Sequence, residues 1–147
     1  LETSEKDAVV NYMDYGFQLG RRFRALKLWM VLRAFGADGI AERIRHHCEL
    51  ATIFAGWVRP AAGWEICAPH PFSTVCFRHV PAGAGEAEAN AHNARIEEQV
   101  NASGDIFISH TTLGSRYVLR VAIGNLRTTE SHLARAWELL RAGVLNN

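Results

Sequence analysis

Residues 19–36 constrain the fold of this chain more than any other stretch. Residues 20–27 carry four cations and no acid, whereas residues 28–35 are apolar with a single interruption. The apolar run stops at Gly36, and glycine commonly ends a helix because it adopts a left-handed backbone conformation without strain. The stretch therefore predicts a helix over residues 21–35 that is buried on most sides toward its C-terminal end.

The cations lie where the predicted helix begins: Arg21, Arg22, Arg24 and Lys27. Positive charges at a helix N-terminus oppose the helix dipole, at roughly 0.3–1 kcal/mol for each exposed charge. Two interpretations remain open at this point. Acidic groups, an anionic ligand or a subunit interface offset these charges, or the turn is an ordinary basic surface in contact with water.

Composition limits the classes of protein to which the chain can belong. Its 147 residues are enough for one domain with a sizeable core, and 48% hydrophobic with 21% charged residues is ordinary for a globular protein. The formal net charge of +1 gives no general sign of nucleic-acid binding. We therefore expect no nucleic-acid partner.

The cysteines and the apolar runs indicate the cellular setting. Cys48, Cys67 and Cys76 form an odd set without a closely spaced pair, which predicts reduced thiols and a cytoplasmic location. No apolar run approaches the ~20 residues of a membrane span. Residues 1–7 are polar and acidic, unlike a signal peptide. We therefore expect no membrane partner.

Hydrophobic periodicity after Gly36 predicts helices and strands in the order α-α-β-β-α-β-β-α. The second helix follows Asp38 and has an apolar stripe at Ile40, Ile44, His47, Ala51, Phe54 and Val58. Strands are predicted at 64–67 and 74–80, a third helix at 86–102, and a hairpin of 106–111 with 116–123. A last helix begins near Thr129, with its buried stripe at Leu133, Trp137, Leu140 and Val144.

Consecutive strands joined by short turns indicate antiparallel pairing. The predicted fold class is therefore α+β: a small antiparallel sheet of about four strands, with helices packed on one face and a long connecting helix before it.

Arg120 is the first candidate for a functional residue. Alternation along the predicted strand 116–123 places Tyr117 and Leu119 on one face and Arg120 on the other, beside Val118 and Ala122. A guanidinium among small apolar neighbours on an inner strand needs a carboxylate or several carbonyls to offset its desolvation. Either a neighbouring Asp or Glu supplies the carboxylate, or a ligand does.

Histidine and cysteine give a weaker indication. Cys67 with His70, and Cys76 with His79, have the two-residue spacing found in some zinc sites. Both pairs fall on predicted strands or turns, where the two side chains are as apt to diverge as to converge. We therefore interpret these residues as core or surface residues and predict no metal site.

Six segments, in the same order, resemble the pyridoxal-phosphate-dependent amino-acid decarboxylases of the aromatic-L-amino-acid decarboxylase type, which belong to group II. They are Asn-Tyr-Met-Asp-Tyr-Gly at 11–16, Leu-Gly-Arg-Arg-Phe-Arg-Ala-Leu-Lys-Leu-Trp at 19–29, Arg-His-His-Cys-Glu-Leu-Ala at 45–51, Val-Cys-Phe-Arg at 75–78, Tyr-Val-Leu-Arg-Val-Ala-Ile at 117–123, and 129–137. The resemblance covers nearly the whole chain. It implies that the chain is the C-terminal portion of such an enzyme.

The resemblance also implies a division of the chain. Residues 1–19 would be the end of a mobile active-site loop and an extended lead, and residues 20–36 the connecting helix. Residues 37–147 would be the C-terminal small domain of a fold-type I pyridoxal-phosphate enzyme. The loop's catalytic tyrosine would lie upstream of Leu1, and the parent enzyme would be a cytoplasmic homodimer.

The implied reaction is loss of carbon dioxide from an L-amino acid to give its amine. Arg120 matches an arginine that faces the substrate carboxylate in glutamate-specific relatives. Gly20 matches a position that lines the substrate pocket from the neighbouring subunit, where glycine leaves room for a large ring and so favours an aromatic substrate. The resemblance does not separate amine-forming from aldehyde-forming relatives.

Pyridoxal phosphate in this family is held by a Schiff-base lysine that follows a histidine. The chain has Lys6 and Lys27 as its lysines and no His-Lys dipeptide. We therefore expect the Schiff-base lysine and most of the other cofactor ligands to lie upstream. This chain alone would then be inactive and would not bind the cofactor. The alternative is a non-catalytic interaction or dimerisation module.

Overall fold

The computed structural model describes residues 23–145, so Gly20 and the predicted lead over residues 1–19 lie outside the described part. The chain divides into two compact units, Leu1–Ala37 and Asp38–Asn147. The first helix, α1, has the bounds Arg24–Val58 but is interrupted at Gly36, where φ is 66° and ψ is 175°. The predicted helix break at Gly36 is confirmed, because only glycine adopts this conformation readily.

The helical segment before Gly36 belongs to the first unit and differs from the prediction. Most of its large apolar side chains, and that of Phe23 just before it, are 40% or more exposed: Phe23, Leu26, Leu28, Trp29, Met30, Val31 and Leu32. The prediction that this helix is buried on most sides is wrong for the described chain. A helix that is apolar around its circumference needs neighbours on several sides, and the described residues of its own unit form a single helix.

The second unit contains the rest of α1 and six further elements in the predicted order. They are β1 Trp64–Ile66, β2 Thr74–His79, α2 Glu86–Ala102, β3 Ser109–Leu113, β4 Arg116–Ala122 and α3 Glu130–Leu145. The four strands form one antiparallel sheet in the order β1-β2-β4-β3. The predicted α+β fold class is confirmed.

Alternating residues of the central strands face the helices and form the core. Phe77 of β2 and Leu119 of β4 lie opposite each other and are fully buried. Phe54 of α1 packs edge-on against Phe77, with ring centroids 5.2 Å apart. Ile96 of α2 and Leu140 of α3 complete the same cluster. Each such side chain contributes roughly 1.5–3 kcal/mol through removal of its apolar surface from water.

The third strand begins three residues later than the sequence predicts. The amide N–H of Ile108 donates to Asn101 Oδ1 at 2.8 Å, and its carbonyl accepts from Asn101 Nδ2 at 3.0 Å. The end of α2 therefore takes the backbone groups that the sheet would otherwise use. The strand starts at Ser109 and continues to Leu113.

The first half of the core stripe of the second predicted helix, Ile40, Ile44 and His47, lies outside the buried core. Ile44 is 52% exposed, whereas the buried residues of α1 are Leu50, Ala51, Phe54, Ala55 and Val58. Periodicity identifies the apolar face of a helix, but only the part of that face that packs against other elements is buried.

Gly63, in the turn before β1, tests how tightly this unit is packed. Its φ is 79°, and a Cβ atom there would lie 2.5 Å from Nε2 of His79. We expect Gly63→Ala to lower the free energy of unfolding by about 2–3 kcal/mol, because it adds a clash to a strained backbone conformation. Urea denaturation measures the change.

Gly56→Ala is the matched control. Gly56 lies within α1, and no atom lies within 4 Å of a Cβ built there. This substitution should stabilise the helix by roughly 0.5–1 kcal/mol. Equal effects at the two positions would contradict the packing proposed for Gly63.

Candidate functional site

The sheet has a second face that points away from the helical core. Since side chains alternate along a strand, residues that neighbour core positions point to this side. We call this the outer face; it comprises Glu65 and Cys67 at β1, Thr74, Cys76 and Arg78 in β2, Ser109 and Thr111 in β3, and Arg116, Val118 and Arg120 in β4. Arg120 therefore lies on the face that sequence alternation predicts.

Arg78 is the buried arginine of the outer face. It is 7% exposed, and its Nε donates to Glu65 Oε1 at 2.6 Å while Nη1 donates to Glu86 Oε1 at 2.5 Å. Burial by itself lowers the pKa of Arg78, but hydrogen bonds to Glu86 and Glu65 outweigh it and raise that pKa. Two carboxylates thus hold this guanidinium, which ties β1, β2 and the start of α2 together.

Arg120 is on the same face in a different environment. It pairs across the sheet with Cys76 of β2 and with Ser109 of β3. Its Nε donates to Ser109 Oγ at 3.1 Å. Within residues 23–145, no Asp or Glu comes within ion-pair distance of it. Of the two partners considered for this arginine, the described structure does not supply the carboxylate.

The other candidate pocket residue, Gly20, lies outside the described residues, so the structure does not show its distance from Arg120. The described residues also do not supply the groups that a lysine-linked cofactor needs. Lys27 is the one lysine in the described part, and it is exposed on α1 in the first unit. The described residues therefore do not fit a lysine-linked pyridoxal phosphate site.

Of the two cysteine and histidine pairs with two-residue spacing, Cys76 and His79 lie on opposite faces of the sheet. Cys76 is on the outer face, whereas His79 stacks edge-on against Trp64 on the core side, 5.1 Å between centroids. Burial, followed by the charge of Glu65, raises the pKa of Cys67 to about 11, which keeps its thiol protonated. In the described residues, no three His, Cys, Asp or Glu side chains are placed to hold a metal ion.

A histidine pair joins β2 to α2. His79 Nδ1 lies 2.9 Å from His92 Nε2, and the side chain of Asn93 accepts from the His79 amide at 2.9 Å and donates to its carbonyl at 2.7 Å. Burial, and then the nearby His92, lowers the pKa of His79; burial, and then Arg95, lowers that of His92. Sequence analysis missed this pair because the two residues are in different elements.

A second cluster joins α2 to the β3–β4 hairpin. Glu97 accepts hydrogen bonds from the Tyr117 hydroxyl and from His110 Nδ1, the latter at 2.8 Å. The rings of His110 and Tyr117 stack with centroids 4.3 Å apart. Burial and the bond to Glu97 raise the pKa of Tyr117 above its ordinary value of 10.0. The phenol therefore stays protonated and can donate to Glu97, so the cluster holds the β3–β4 hairpin against α2.

None of the helices in the described part of the chain is both long enough and apolar enough to cross a membrane.

Comparison with known proteins gives a family model and relatives that agree with one another. A family model described as the pyridoxal-dependent decarboxylase conserved domain matches residues 1–80. Tyrosine decarboxylase 2 of Arabidopsis thaliana is 43% identical over 95% of this chain and 26% of its own length. Phenylacetaldehyde synthase of the same plant is 43% identical over 95% of the chain and 29% of its length. Tryptophan decarboxylase 2 of rice, Oryza sativa subsp. japonica, is 43% identical over 95% and 28%.

Solved structures agree with this comparison. Oryza sativa TDC with PLP and tryptamine superposes with a TM-score of 0.79 at 36% identity, over 95% of this chain and 30% of that one. Catharanthus roseus tryptophan decarboxylase in complex with L-tryptophan has a TM-score of 0.78 at 33% identity, over 94% and 30%. The chain therefore spans less than a third of the length of these relatives.

The histidine pair predicts a pH dependence of stability. Both pKa values are lowered from 6.5, so below that pH the unfolded chain takes up protons more readily than the folded chain. We expect the free energy of unfolding to fall as the pH drops through about 6.5. Denaturation of the chain at a series of pH values measures this slope.

Two variants separate the pair from other titrating groups. His92→Gln keeps a neutral hydrogen-bonding group beside His79 and should reduce the slope. His46→Gln is the control, since His46 has a side chain that is 55% exposed. An unchanged slope in His92→Gln, or an equal change in both variants, would refute the assignment.

Proposed function

Because the chain belongs to the pyridoxal-dependent decarboxylase family, we propose that it is the C-terminal part of an enzyme that removes carbon dioxide from an aromatic L-amino acid and releases the amine. The family match over residues 1–80 and the identity to tyrosine and tryptophan decarboxylases support this substrate class. The share of its relatives that the chain spans supports a partial chain.

The cofactor would be pyridoxal phosphate, which supplies an electron sink for cleavage of the bond to the carboxylate. Its lysine and its other ligands would come from the remainder of the enzyme, since Lys27 is exposed on α1. The contribution of this chain is then to bind and orient the substrate and to cover one side of the site. Residues 1–19 would be the end of the mobile active-site loop and an extended lead, and residues 20–36 would be the connecting helix. Residues 37–147 would form the small domain.

The proposed contribution of this chain to substrate binding depends on the hydrogen bonding of Arg120. A guanidinium binds a carboxylate through two parallel hydrogen bonds when its terminal nitrogens are available. Arg78 is not available, because Glu65 and Glu86 neutralise it. Arg120 instead donates to a hydroxyl, which brings no negative charge to neutralise it. We therefore assign Arg120 to the substrate carboxylate.

Gly20 would line the pocket for the aromatic ring and reach it across the interface of a homodimer. A residue without a side chain leaves the most space for a ring. This role is drawn from the family resemblance. The three cysteines, none of them in a disulfide, support a cytoplasmic enzyme.

A second candidate function is formation of an aldehyde from the same substrates. It is favoured by one observation: phenylacetaldehyde synthase matches the chain at the same 43% identity as tyrosine decarboxylase 2. Product analysis of the full-length enzyme distinguishes an amine from an aldehyde.

Arg120→Ala tests the assignment in the full-length enzyme. We expect kcat/KM for the amino acid to fall roughly tenfold to a hundredfold, because a charged hydrogen-bonding partner of the carboxylate is lost. The free energy of unfolding should change by no more than about 0.5 kcal/mol. Steady-state kinetics and denaturation measure the two quantities.

Arg78→Ala is the comparison variant on the same sheet face. It leaves two carboxylates without their cation and should lower the free energy of unfolding by about 2–3 kcal/mol. If Arg120→Ala loses stability in the same proportion as activity, Arg120 is structural and the assignment is wrong.

The division of labour between this chain and the rest of the enzyme has its own test. Mixed with pyridoxal phosphate, the 147-residue chain alone should develop no visible absorbance band of lysine-linked cofactor. Borohydride reduction followed by mass spectrometry checks the same point. A specific adduct on Lys27 or Lys6 would show that the chain carries its own cofactor site.

A further inference from the structure

The hydroxyl beside Arg120 is fixed in position by the strands around it. Ser109 is the first residue of β3 and lies directly opposite Arg120 of β4. The residue before it, Ile108, has both its backbone N–H and its carbonyl bonded to the side chain of Asn101. The backbone that carries Ser109 is thus held on one side by α2 and on the other by the sheet.

The bond from Arg120 Nε to Ser109 Oγ determines which edge of the guanidinium is left for a ligand. The group is planar, with five N–H donors in a rigid fork. Use of the Nε–H at 3.1 Å fixes the rotation of the plane and leaves the two terminal nitrogens together on the remaining edge. That edge matches the two oxygens of a carboxylate.

The chemistry of the neighbours is as informative as their position. A carboxylate at residue 109 would orient the guanidinium equally well, but it would neutralise it and compete with a bound anion, as Glu65 and Glu86 do at Arg78. A serine hydroxyl orients without adding charge. On the other side of Arg120, Cys76 also adds no acidic oxygen.

We infer that Ser109 is a positioning residue that orients the guanidinium of Arg120 toward the carboxylate of the amino-acid substrate. The inference rests on the proposed function, because it assigns Ser109 a role only through Arg120. Ser109 itself does not contact the substrate.

The test uses the full-length enzyme and two probes that each carry half of the substrate's polar groups. Phenylpropionate has the carboxylate without the amine, and phenethylamine has the amine without the carboxylate. Calorimetry gives their dissociation constants. Ser109→Ala should bind phenylpropionate roughly fivefold to tenfold more weakly, as expected for loss of one hydrogen bond, and should bind phenethylamine unchanged.

Further variants show whether the effect passes through Arg120. Ser109→Thr keeps the hydroxyl and should restore phenylpropionate binding. In an Arg120→Ala background, Ser109→Ala should have no additional effect. Ser109→Cys, nearly the same size with a weak acceptor, repeats the test if the alanine variant does not fold. Thr111→Val is the control, since Thr111 shares the strand and face but lies opposite Val118.

Each outcome distinguishes the two assignments. If Arg120→Ala weakens phenylpropionate binding but Ser109→Ala does not, the role of Ser109 is wrong and the proposed role of Arg120 stands. If Arg120→Ala leaves phenylpropionate binding unchanged, both are wrong. Ser109 only supports the fold if Ser109→Ala weakens the binding of both probes equally. The same holds if Ser109→Ala weakens phenylpropionate binding as much in the Arg120→Ala background as in the unmodified enzyme.

Discussion

The antiparallel pairing of β2 with β4 is the interaction on which the rest of this structure depends. Its register places Phe77 opposite Leu119 on the core side and Cys76 opposite Arg120 on the outer side. Because side chains alternate, a slip of one residue would bring Arg120 into the core and expose Leu119. Burial of the apolar residues therefore also sets where the arginine lies.

Two arginines on one sheet face show how the same side chain takes different roles. Arg78 is enclosed by two glutamates and is 7% exposed, so its charge is used within the fold. Arg120 has a hydroxyl as its partner, and no carboxylate among the described residues lies within ion-pair distance of it. Their residue type and strand position are alike, and the difference comes from neighbours in other elements. Glu65 and Glu86 reach Arg78 from β1 and α2, whereas Arg120 has Ser109 of β3 beside it.

The two units differ in how far their apolar side chains are buried. Its helix before Gly36 exposes large apolar side chains such as Trp29 and Met30, whereas the second unit buries Phe54, Phe77 and Leu140 in a continuous core. Apolar surface of this extent is normally covered by another part of a protein or by a partner.

The amino-acid sequence by itself determined the order of the elements, the antiparallel sheet, the break at Gly36 and the face of β4 that carries Arg120. These follow from local rules, since apolar periods of 2 and 3.6 and the backbone freedom of glycine act over a few residues. Family resemblance supplied the chemistry, which no local pattern in these residues contains.

Only the tertiary structure decided which partners those side chains meet. The start of β3 was misplaced because Asn101 takes the backbone groups of Ile108, and Ile44 is exposed because only the later part of its helix packs in the core. The pairs His79–His92 and Arg120–Ser109 join residues 13 and 11 positions apart. Such contacts depend on how whole elements pack together, and packing is a property of the assembled chain.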